Sequence, residues 1–170
     1  EEREPAAATG TVHRAAAAAP AAVDALAAFL ADAQSPAIVV GAGADDPETW
    51  SCLVELAERL VAPVFQETFG ARAGFPQDHR LFAGHLGADR PRLRQALEPH
   101  DLVIAVGAPA FRQYAFSPGP FVEPGTTVVV VSQDAAEVHR STADLAVLAP
   151  PGAMCSALAG AVAVRQTAPP

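Results

Sequence analysis

Lysine is absent from the 170 residues: all 11 basic side chains are arginine, against 19 acidic ones, for a net charge of -8. So little positive charge argues against nucleic acid, whose phosphates demand a concentrated basic surface. Cysteine is nearly absent as well. Cys52 and Cys155 are the only two, with no CxxC and no Cys/His ligand spacing, which excludes a disulfide scaffold and a structural zinc site. Long hydrophobic runs are missing; the apolar stretches are strand-sized, short of the roughly 18 residues of a membrane span. No cleavable leader is legible, because the N-terminus is acidic and the following alanine run is only weakly hydrophobic. The expected location is the cytoplasm. Methionine occurs once, at Met154, and the chain starts at Glu1, so the sequence reads as a section of a longer polypeptide.

What is present is small and apolar. Hydrophobic residues make up 51%, but forty of these are alanine, leaving fewer large side chains for packing. Residues 1–20 read as an Ala/Pro-rich linker and 167–170 as a linker tail, with one folded domain over 21–166. Within it helix and strand alternate. Pro20 stands at the entrance of a helix carrying Val23, Leu26, Ala27 and Leu30. AIVVG (37–41) follows as a strand, then Asp46-Pro47 as a helix start, with Trp50, Leu53, Val54, Ala57 and Leu60 on one stripe. PVFQET (63–68), DLVIAVG (101–107), TTVVVVS (126–132) and LAVLA (145–149) read as strands, with at most a short one near 81–83. Helices are expected over 91–97, 135–140 and 152–165. Continuous apolar strands are covered on both faces. The fold expected is therefore α/β: a Rossmann-like, three-layer open parallel sheet of five to six strands, of the NAD/FAD-binding type. Ligands or partners would meet its carboxyl edge, where Gly41-Ala42-Gly43 and the segments 69–88 and 108–125 lie.

Few motifs carry chemistry. Gly41-x-Gly43 lacks the third glycine of a dinucleotide fingerprint, since Asp46 stands there, and Asp45 and Asp46 would repel a pyrophosphate. Glu67 could bind a ribose, though its spacing from Gly41 is long. A nucleotide- or FAD-binding module is one reading; a tight strand-to-helix turn is the other. His13, His79, His85, His100 and His139 do not cluster at ligand spacing, and both cysteines read as small buried hydrophobes. No GxSxG, P-loop or HExxH occurs. Segment 108–125 stands apart. It is long, it follows the most apolar strand, and it holds Phe111, Tyr114, Phe116, Phe121, Arg112 and four prolines. Long loops in compact domains are usually functional or interfacial, and aromatics with an arginine suit a buried contact. The segment is either a contact with something outside the domain or a cover for its own sheet.

SPAIVVGAGAD (35–45), LAERLVAPVF (56–65), FPQDHRLFAGHL (75–86) and HDLVIAVGAPAFRQYAFSPGPFVEPGT (100–126) resemble the central domain of thiamine diphosphate-dependent enzymes. The likeness is nearest to the benzoylformate decarboxylases and covers roughly 23–165. It implies a six-stranded Rossmann-like middle domain with a scaffolding role, inactive alone. The pyrimidine- and pyrophosphate-binding domains of the same polypeptide would hold thiamine diphosphate and magnesium, in a homo-oligomeric 2-oxo acid decarboxylase. No cofactor is expected in this chain: the GDG…N motif is missing, and so is the arginine- and aspartate-rich loop of FAD-binding relatives after Gly107. Benzoylformate decarboxylases place a histidine from this loop in the active site, and ungapped alignment of GAPAFRQY puts Tyr114 in that column. Tyr114 is thus the candidate catalytic residue. A phenol titrates near ~10 and an imidazole near ~6.5, so Tyr114 suits hydrogen-bond donation better than proton shuttling. The substrate stays open between benzoylformate, another aromatic or branched 2-oxo acid, and a carboligation. A purely structural dimerisation domain is the remaining alternative.

Overall fold

The computed structural model describes residues 17–166; most of the expected linker, with His13, and the expected tail lie outside the described residues. Six strands form one parallel sheet: β1 (Pro36–Val40), β2 (Val64–Gln66), β3 (Phe82–His85), β4 (Leu102–Val106), β5 (Thr127–Ser132) and β6 (Leu145–Leu148). Their spatial order is β3-β2-β1-β4-β5-β6, with every adjacent pair parallel. The chain steps outward to β3, returns across β1 to β4, and continues to the other edge. The order therefore reverses between β1 and β4, where open α/β sheets leave a crevice at their carboxyl ends.

Alternate strand residues face opposite layers. Ile38, Val40, Ile104, Val106, Val129 and Val131 pack with Leu26 and Leu30 of α1 (Pro20–Asp32), Leu53, Leu56 and Leu60 of α2 (Pro47–Leu60), and Met154 and Leu158 of α5 (Pro151–Ala161). On the opposite face, Ala37, Val39 and Val103 lie under Leu93 and Leu97 of α3 (Arg90–Leu97). Ala105, Val128 and Val130 meet Val138 of α4 (Ala135–Arg140). β1 and β4 are buried at every residue, as continuous apolar runs require. At the edge β6 only Val147 is buried, and Leu148 is exposed.

The expected helix start at Asp46 is present: Thr49 N–H donates to Asp46 Oδ1 at 2.8 Å, with Pro47 in the first helical position. The hydrogen bond from Thr49 also holds the Asp46 carboxyl below its usual range. The final helix departs from expectation. It ends at Ala161, short of Arg165, whose guanidinium instead donates to the carbonyls of Leu30 (2.9 Å), Ala33 (2.7 Å) and Gln34 (3.2 Å). Those carbonyls lie at the C-terminal end of α1, which has no basic residue in its last turn, so they attract a cation more strongly than a further helical turn would. No helix among the described residues is long and apolar enough to cross a membrane.

Candidate functional site

At the carboxyl edge, the turn after β1 (a 3-10 turn, Ala42–Ala44) packs against Gly107, the first residue after β4. Gly43 N–H donates to Gly107 O (2.9 Å) and Ala44 N–H to Gly41 O (3.0 Å). Gly107 adopts φ +59°, and a Cβ there would lie 2.4 Å from Ala44 N, so a side chain is doubly excluded. The glycines of Gly41-x-Gly43 thus allow two loops to touch at the switch point. Amides that would cradle a pyrophosphate are already engaged by the chain's own carbonyls.

Glu67, just past β2, is nearly fully buried, and neither carboxylate oxygen accepts a hydrogen bond. Arg112 Nε lies 3.1 Å from Glu67 Oε1 as an ion pair, with the arginine side chain half exposed. Burial pushes the Glu67 carboxyl above its usual range and Arg112 offsets this only in part. Glu67 therefore ties the start of the 108–125 segment to the sheet, and its carboxylate faces Arg112 in place of the ribose considered from its spacing. Gln66 beside it closes the following loop, accepting from Gly74 N–H (3.0 Å) and donating to Arg72 O (3.2 Å).

Segment 108–125 covers its own sheet in part and leaves two of its rings exposed. Phe111, Phe121 and Val122 cover the sheet beside α3, standing where a crossover helix would otherwise stand between β4 and β5. Tyr114 and Phe116 do the opposite: their exposures are 88% and 85%. Exposed rings are not left loose, because α3 grips the segment. Tyr114 N–H donates to Ala88 O (2.9 Å), Arg94 Nη2 to Glu123 Oε2 (2.6 Å), and Arg90 contacts Gln113, Gly119 and the Phe121 ring. The hydrogen bond from Arg94 holds the Glu123 carboxyl below its ordinary range. The segment thus offers one accessible phenolic donor and an aromatic surface on a braced support.

The arginines of α3 escape a sequence reading, although a cation at the first helical position opposes the helix dipole and is itself a signal. A cleft of about 390 Å³ between the N-termini of α2 and α5 was equally hidden; Asp46, Thr49, Cys52, Gly152 and Ser156 line part of it. Cys52 is half-buried there, whereas Cys155 is buried and its thiol is pushed up by desolvation. The described histidines stay apart. His100 is buried against Ser35 and desolvation lowers its pKa, His79 lies 3.5 Å from Glu58 Oε1, and His85 packs edge-on to Phe82. Among the described residues no group of three or more His, Cys, Asp or Glu side chains is arranged to hold a metal ion.

Residues 23–158 match a family model described as "Thiamine pyrophosphate enzyme, central domain". Benzoylformate decarboxylase of Pseudomonas aeruginosa is 35% identical over 112 residues, covering 66% of this chain and 21% of that protein. Among solved structures, the thiamine diphosphate-dependent 4-hydroxybenzoylformate decarboxylase of Rhodococcus jostii superposes with a TM-score of 0.86 at 34% identity, covering 94% of this chain and 30% of that one. Benzoylformate decarboxylase of Polynucleobacter necessarius gives 0.86 at 28% identity, over 98% and 32% of the two chains. The chain thus spans about a fifth of the curated relative and under a third of the solved ones.

Proposed function

This chain belongs to the family of thiamine pyrophosphate enzyme central domains, and from that premise we propose that it is the middle domain of a 2-oxo acid decarboxylase. In this reading 21–166 is the domain, 1–20 and 167–170 join it to its neighbours, and the complete protein is a cytoplasmic homo-oligomer. Thiamine diphosphate, which supplies the electron sink for decarboxylation, and magnesium belong to the pyrimidine- and pyrophosphate-binding domains. The residues described here do not fit them. The turn amides of Gly43 and Ala44 are engaged, and Asp45 and Asp46 flank the nearest helix start.

The chain's own contribution is a scaffold and one loop. Tyr114 donates a hydrogen bond to an oxygen of the bound 2-oxo acid, and Phe116 supplies apolar surface that keeps water from it. The phenolic O–H is a hydrogen-bond donor, so the role of Tyr114 is to orient and stabilise the bound acid. The observation that carries this is the pair of rings, 88% and 85% exposed, on a segment whose other aromatics are packed. Burying large aromatic surface in a partner domain removes it from water at roughly 25 cal/mol per Å².

Tyr114→Phe in the complete polypeptide tests the reading. The expected outcome is a loss in kcat/KM of roughly tenfold, unequal across aromatic and branched 2-oxo acids, with an unchanged Tm. Unaltered kinetics across the series would remove Tyr114 from the site. The same exposure also suits a purely structural dimer contact; in that case Phe116→Ser would change the sedimentation of the protein and leave its kinetics intact.

A further inference from the structure

Arginine is an electrostatically poor way to begin a helix. Asp89 caps the start of α3, accepting from Arg92 N–H at 3.0 Å and pairing with the Arg92 side chain at 3.5 Å, but Arg90 in the first turn faces the positive end of the dipole with no such local partner. Arg90 serves another element. Its Nε donates to Gln113 Oε1 at 3.0 Å, its Nη1 donates to Gly119 O, and its guanidinium carbon stands 4.1 Å from the centre of the Phe121 ring. Gln113 and Gly119 are the two stems of the turn that exposes Tyr114 and Phe116. Ala88, whose carbonyl accepts from Tyr114 N–H, lies just before the same helix.

We propose that Arg90 is the positioning residue of this turn: one guanidinium fastens both stems and so fixes where the Tyr114 and Phe116 rings stand above the sheet edge. The proposal rests on the reading that this loop reaches the reaction site. Closing the stems shortens the free loop and removes most of its conformational freedom before any substrate arrives. The task needs a planar fork whose separate N–H groups point to two acceptors while its face lies on a ring. A lysine ammonium cannot do this.

Two measurements separate the clamp from its consequence. In the 170-residue chain, amide hydrogen exchange over 113–119 should accelerate about tenfold or more in both Arg90→Ala and Arg90→Lys, with β4 unchanged. Unchanged exchange there in both variants overturns the proposal. Gln113→Ala removes one acceptor without altering any charge, and it repeats the test should Arg90→Ala fold poorly. In the complete polypeptide, Arg90→Ala should lower kcat about tenfold, Arg90→Lys should not restore it, and the loss should vanish in a Tyr114→Phe background. A loss of equal size in both backgrounds overturns the proposal, as does full activity of Arg90→Ala where Tyr114→Phe is impaired. If exchange accelerates and Tyr114→Phe is itself silent, the loop's place at the reaction site is what fails.

Discussion

Glu67 is where charge and surroundings conflict most. Desolvation raises its pKa above the ordinary carboxylate value, and the half-exposed Arg112 compensates only in part. With the folded value above the unfolded one, the native state favours the protonated carboxyl. The stability this contributes is full below the unfolded value and is lost as pH rises through the folded one. Glu67→Gln should therefore be more stable than the parent sequence at pH 7, with the gap closing near pH 4 in urea titrations; a variant less stable than the parent at pH 7 would mean that the ion pair outweighs burial. Sequence placed Glu67 at the end of its strand because PVFQET ends an apolar run. Its partner was illegible, since Arg112 arrives only when the chain returns through β4. The loop that holds Tyr114 was legible because a long aromatic segment after an apolar strand stands out, while the choice of Tyr114 within it came from the family resemblance. Its 88% exposure against the packed Phe111 and Phe121 was not legible, since all three share one composition-level signal.

At the scale of elements, helix starts were readable, and so were the ends at Leu60, Leu97 and Arg140; the end of α5 was not. Asp46-Pro47 is a local device, and Asp46→Ala should cost about 1 kcal/mol in urea unfolding. The end of α2 is less comfortable: Val61 sits at φ 50°, a left-handed conformation that disfavours a β-branched residue. Val61→Gly should raise stability by about 1 kcal/mol, and a fall would show that the Val61 side chain packs more usefully than its backbone suffers. The end of α5 is set by tertiary structure. Arg165 leaves the helix for three carbonyls at and just past the end of α1, a destination invisible in a local pattern. Arg165→Ala should destabilise by about 1–2 kcal/mol, measured the same way.

For the molecule as a whole, the parallel α/β class was legible because apolar runs alternate with helical stripes, a global regularity; the strand order, with its reversal between β1 and β4, is seen only in the structure. The crevice at that reversal is closed by Gly43 against Gly107, so the fold keeps the nucleotide-binding topology while its first turn is occupied by backbone. Calorimetry of this chain with thiamine diphosphate and magnesium should accordingly show no saturable heat; micromolar binding would contradict the assignment of the cofactor to other domains. The most direct measurement is a crystal structure of the complete polypeptide with thiamine diphosphate and a non-reactive 2-oxo acid analogue. The account predicts Tyr114 Oη within hydrogen-bond reach of the analogue, ~3 Å directly or through one water. A Tyr114–Phe116 turn facing solvent, or buried against a subunit far from the analogue, would contradict it.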